Sequence, residues 1–185
     1  MGLVELLLLA VGLAMDAFAV SVCGSMALSP ANRTAGALRF GSWFGAFQFL
    51  MPVIGYFGAV SFRNYITEYD HWIAFVLLTY LGINMIRESS ESCNIKKNYT
   101  VREMFVLAVA TSIDALAVGI SLAFLNTNIW FAAVLIGIVT FAVATFGGLA
   151  GFRLGAAVGK RADVCGGAVL ICIGCKILLE HTGFI

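Results

Sequence analysis

Charge is scarce in this chain. Ten acidic and 11 basic residues make up 11% of its 185 positions, where a soluble domain carries about 25%. They nearly cancel, leaving a net charge of +1, so nothing marks a nucleic-acid surface or an acidic partner. Proline is almost absent, at two residues, and no low-complexity stretch separates one domain from another. No G-x-x-x-x-G-K-[ST] run occurs, so there is no nucleotide loop to power work with ATP. A cleavable leader is not expected either. The N-terminus has no basic leading region, Glu5 is its only early charge, and its apolar run continues to Cys23, long enough to span a bilayer.

What remains is apolar. Hydrophobic residues make up 61% of the chain, and mean hydropathy is +0.98. No soluble core of this size hides so much apolar surface. The chain reads as one integral membrane domain over 1–185, an all-α membrane protein with six transmembrane helices. A span needs about 20 apolar residues, and such runs fall near 3–24, 38–60, 71–88, 102–124, 129–153 and 162–181. The polar breaks are Ser29 to Arg33, Arg63 to Asp70, Arg87 to Arg102, Asn126 to Asn128, and Lys160 to Asp163. The third span is the shortest, and His71-Trp72 at its start suits an interfacial anchor.

Basic residues orient these spans. Arg33, Arg39, Arg87, Lys96, Lys97, Arg102, Arg153, Lys160 and Arg161 flank the odd loops, and only Arg63 lies in an even one. Cytoplasmic loops are the basic ones, so loop 87–102 is expected inside the cell and both termini in the periplasm. The spans also repeat. Leu13-Ala14-Met15-Asp16-Ala17-Phe18-Ala19-Val20 matches Thr111-Ser112-Ile113-Asp114-Ala115-Leu116-Ala117-Val118. Ile54-Gly55-Tyr56 matches Ala150-Gly151-Phe152, and Leu81-Gly82-Ile83 matches Ile173-Gly174-Cys175. Three spans per copy is odd, so the second copy crosses in the opposite sense. The expectation is two inverted three-helix repeats, 1–90 and 101–185, with a substrate site near the midplane between them.

Asp16 and Asp114 are lone charges deep in apolar runs. A carboxylate at that depth costs several kcal/mol unless it faces a cavity, a partner or a cation. On a helix, Asp114 shares a face with Thr111, Ala117, Val118 and Ser121, and Ser112 lies alongside. The second span offers Gln48, one turn before Pro52, and the fifth offers Thr140 and Thr145. Oxygen donors of this kind suit hard or borderline divalent ions. The plainer reading makes each aspartate a structural link, protonated or bonded to a neighbour. Gln48 stands equally between metal ligand and interhelical hydrogen bond. Glycine stripes at Gly41 and Gly45, and at Gly147, Gly151, Gly155 and Gly159, read as close helix packing. Cys165, Cys172 and Cys175 read as small hydrophobes rather than a soft-metal site. Cys93, in a cytoplasmic loop, is expected to stay reduced. Lys176 is expected to reach the outer surface.

Met15-Asp16-Ala17-Phe18-Ala19-Val20-Ser21, Phe44-Gly45-Ala46-Phe47-Gln48, Pro52-Val53-Ile54-Gly55, His71-Trp72-Ile73-Ala74-Phe75 and Thr111 to Gly119 resemble the MntP-type manganese efflux pumps of bacteria, relatives of the LysE superfamily. The likeness covers nearly the whole chain. It implies six spans in the cytoplasmic membrane and export of manganese as cargo, with no resident cofactor and Asp16 and Asp114 functional. The candidate metal set is then Asp16, Asp114, Gln48, Thr111, Ser112 and Thr140, with protons as a candidate counter-ion. Some relatives carry an acidic residue where Gln48 stands. The residues alone leave open an exporter of another divalent metal, an exporter of a small cationic solute such as an amino acid, or a scaffold whose aspartates lock helices together.

Overall fold

The computed structural model describes residues 2–26, 28, 32–60, 75, 76, 78–80, 83, 86, 87, 99–125, 127–154 and 156–181. Among them every regular element is a helix: α1 (Leu3–Ser25), α2 (Arg33–Val60), α3 (Val101–Ala110), α4 (Ile113–Phe124), α5 (Ile129–Leu154) and α6 (Ala156–His181). Four stretches are long and apolar enough to cross a membrane, namely Leu3–Ser25, Arg33–Val60, Val101–Phe124 and Ile129–Gly151. They coincide with the first, second, fourth and fifth expected spans. Most of the third span, its His71-Trp72 anchor and Cys93 lie outside the described residues.

Local chemistry sets the helix starts. Thr100 and Glu103 form a capping box before α3: the Thr100 N–H donates to Glu103 Oε2 at 2.8 Å, and the Glu103 N–H donates to Thr100 Oγ1 at 3.3 Å. Asn128 Oδ1 accepts from the N–H groups of Trp130 and Phe131 before α5, which fits the expected break there. The last expected break is corrected. Lys160 to Asp163 lie within α6, because α5 ends at Leu154 and α6 begins at Ala156. Lys, Arg and Ala are good helix formers. The fourth span is corrected too: it is two helices, α3 and α4, parted at Thr111-Ser112.

Packing centres on α5, which lies along both α1 and α2, while α1 also packs on α6, and α2 on α4. Glycine makes these approaches close. A Cβ at Gly45 would meet the Gly137 carbonyl at 3.0 Å, and one at Gly137 would meet the Gly45 carbonyl at 3.1 Å. Gly41 faces Phe141 and Thr145, and Gly148 faces Ala37. Numbers rise on α2 as they fall on α5, so these two helices run antiparallel. Gly55 abuts Leu116 and Ile120 of α4, as Gly151 abuts Val22 of α1.

Two apolar clusters carry most of the core, and a small third one joins Ala59, Ala123 and Phe124. The larger unites Leu6, Leu9 and Leu13 with Val118, Leu122, Ile129, Ile136, Leu170 and others. The second unites Ala17, Phe40, Phe44, Met104, Ala108 and Ala144. Outward, Ile138 and Phe146 are each 62% exposed, which suits a lipid-facing surface.

Candidate metal site

Four segments run from one apolar cluster to the other, and each carries a polar residue in the interval. On α1, Leu13 belongs to the first cluster and Ala17 to the second, with Asp16 between. On α3 and α4, Ala108 and Val118 bracket Thr111, Ser112 and Asp114. Ile136 and Ala144 bracket Thr140 on α5, and Gln48 lies on α2 between Phe44 and Val53. The six sequence candidates therefore fall in one polar layer. Gln48, Ser112 and Thr140 are fully buried, Thr111 and Asp114 are buried, and Asp16 is half-buried.

The helix break shapes this layer. In a continuous helix the Ala115 N–H would donate to the Thr111 carbonyl. Here Ala115 N–H donates to Asp114 Oδ1 at 2.7 Å, and the Thr111 carbonyl accepts from Gln48 Nε2 at 3.1 Å. Side chains hold the end of α3. Ser112 Oγ donates to the Ala108 carbonyl at 2.6 Å, and Thr111 Oγ1 donates to the Leu107 carbonyl at 3.0 Å. Both hydroxyl protons are thus engaged, and oxygen lone pairs remain.

Gln48 Nε2 donates a second time, to the Leu13 carbonyl at 3.3 Å. Two carbonyl acceptors fix which way the amide faces, so Oε1 points away from both. Gln48 Oε1 and Thr140 Oγ1 are buried and have no hydrogen-bond partner. A buried unpaired acceptor costs about 1–3 kcal/mol, so two of them at the level of the two aspartates favour a ligand. Gln48 is therefore an interhelical hydrogen-bond donor, with its oxygen left over for another role. Sequence reasoning missed the backbone: the Leu13 and Thr111 carbonyls, and the break that frees the latter. The adjacent hydroxyls of Thr111-Ser112 were the available signal, because such side chains compete for backbone groups.

Other candidates stay apart from this layer. Thr145 faces α2 at Gly41. Lys176 forms an ion pair with Glu5, at 50% and 23% side-chain exposure, so it meets α1 at the helix ends. Cys165, Cys172 and Cys175 are exposed on α6. Among the described residues no three His, Cys, Asp or Glu side chains cluster, so a cation would be held by two carboxylates and neutral oxygens.

A helical membrane protein with one intramembrane carboxylate beside a helix break and another on a continuous helix fits the transporter class, and the comparisons narrow it. The family described as "Putative manganese efflux pump" (Mntp) matches residues 31–178. A protein of Mannheimia succiniciproducens named "Putative manganese efflux pump MntP" is 45% identical over 190 residues, covering all of both chains. One of Desulfitobacterium hafniense with the same name is 47% identical, covering 100% of this chain and 98% of its own. That of Acetivibrio thermocellus is 45% identical, covering 100% and 94%. The chain belongs to this Mntp family. No solved structure matches it.

Proposed function

We propose that the protein exports manganese(II) from the bacterial cytoplasm as a secondary transporter. The observation that carries this reading is the polar layer itself. Asp16 and Asp114, Gln48 Oε1, Thr140 Oγ1 and the hydroxyl oxygens of Thr111 and Ser112 lie between two apolar clusters. Two carboxylates neutralise one divalent ion, and hard oxygens match manganese better than thiolates do. The names of the relatives point to the same ion.

The frame is six spans arranged as two inverted repeats. Equivalent contacts support it. Gly55 and Gly151, 96 residues apart, abut Ile120 and Val22, 98 residues apart. α2 and α5, the equivalent second and fifth spans, meet antiparallel across Gly45 and Gly137. The basic asymmetry orients the termini to the periplasm of the inner membrane. The Glu5–Lys176 pair joins the start of α1 to the far end of α6, which fits both ends lying at one membrane face.

Purified protein in liposomes, with a manganese-sensitive dye inside, tests the reading. Manganese flux that requires both aspartates is expected. Flux of a cationic amino acid with none of manganese would assign the protein to another substrate class. No flux of either would leave a scaffold.

A further inference from the structure

Gln48 joins two segments that otherwise touch little. α1 packs on α5 and α6, and α4 packs chiefly on α2. Between the two aspartate-bearing segments stands one primary amide, donating to Leu13 O at 3.3 Å and Thr111 O at 3.1 Å. These acceptors are equivalent. Leu13 and Thr111 are 98 residues apart, as are Asp16 and Asp114, and each carbonyl precedes its aspartate by three residues. The Thr111 carbonyl is reachable because the helix is broken there.

We propose that Gln48 is a positioning residue. Its amide holds the Asp16 and Asp114 turns at one fixed separation, so that a single divalent ion is shared by both carboxylates. The proposal rests on the reading of those aspartates as the metal site. Both amide protons are used, one for each segment, and the planar group sets their spacing. Without a bridge, two segments that otherwise touch little drift apart when no cation is bound. A shared site then becomes two weak ones.

The test separates position from ligation by working without metal. In a background freed of native cysteines, nitroxide labels go on the exposed positions of Val11 and Ile113, beside the two acceptors. A control pair goes on exposed Leu38 and Phe146, across α2 and α5. Pulsed spin-resonance distances are compared with and without Gln48→Met, which keeps length and lacks donors. The 11–113 distribution is expected to broaden or shift while the 38–146 distribution stays the same. In liposomes, half-saturating manganese is expected to rise about 10–100-fold, the usual effect of removing a group that orients metal ligands, with a smaller change in maximal rate. If Gln48→Met does not accumulate, Gln48→Asn is read in its place, being one methylene too short to reach both carbonyls. An unchanged 11–113 distribution, or equal broadening of both pairs, would overturn the bridge. Absence of manganese flux in the unsubstituted protein would overturn the metal reading, whatever the distances show.

Discussion

At the scale of single residues, Asp16 and Asp114 are not equivalent despite their matching motifs. Asp114 is buried and caps Ala115 N–H, whereas Asp16 is half-buried on an unbroken α1. Both are still required if one divalent ion is to be neutralised. Asp16→Asn and Asp114→Asn keep shape and lose charge, so each should abolish manganese tolerance in manganese-sensitive cells while the protein still accumulates. The expected fall in efflux is at least about 100-fold, because even groups that only orient a ligand cost about 10–100-fold. Normal efflux by either variant would make that carboxylate structural. Cys172 and Cys175 offer the contrast. They sit exposed on α6, and replacing both by alanine should leave manganese efflux within about twofold, since thiolates suit softer ions. A selective loss of flux with intact expression would bring α6 into the site. The sequence made the two aspartates legible because a charge has few reasons to lie in an apolar run. It left Gln48 divided between two roles, since an amide can serve either way until its neighbours are known.

At the scale of elements, glycine decides how near the helices come. A Cβ at Gly55 would run into the Leu116 carbonyl, and one at Gly151 into Ser25 Oγ and the Val22 carbonyl, whereas Gly58 has open space around it. Backbone cannot yield as a flexible side chain does. Gly55→Ala and Gly151→Ala should each cost about 1–3 kcal/mol, the usual penalty of overpacking. Gly58→Ala should be nearly neutral, and thermal unfolding in detergent distinguishes the two cases. Equal melting of all three variants would mean that the helices can part without cost. Helix positions were readable from hydropathy, because apolar length is what a bilayer demands. The break at Thr111-Ser112 was not, because hydropathy is blind to backbone hydrogen bonds. Local side-chain bonds from Thr111, Ser112 and Asp114, with Gln48 donating to the Thr111 carbonyl from α2, make the interruption tolerable inside a membrane. The start of α6 was misplaced for a related reason: Lys160-Arg161 looks like a loop by charge, yet both residue types extend helices well, and α6 begins at Ala156.

At the scale of the whole molecule the question is energy. The chain carries no nucleotide loop, so outward transport must draw on an ion gradient or the membrane potential. The potential alone acts the wrong way. A charge crossing 100 mV gains about 2.3 kcal/mol, so a divalent cation is drawn inward by about 4.6 kcal/mol. Export therefore needs a counter-ion moving in, and a proton is the simplest that the site can accept. In the proton-antiport reading, Asp16 and Asp114 would carry two protons in exchange for one divalent ion. Exchange of two protons for one ion moves no net charge, which removes the opposition of the potential. In the proposed inverted-repeat frame, the same layer would face each side in turn. In proteoliposomes, manganese movement should then carry protons the opposite way, and a gradient acidic on the periplasmic side should drive manganese uphill toward it. An imposed potential should change the rate little. If collapsing the proton gradient leaves uphill movement intact while collapsing a sodium gradient stops it, sodium is the counter-ion, and the two aspartates serve the metal without returning as acids.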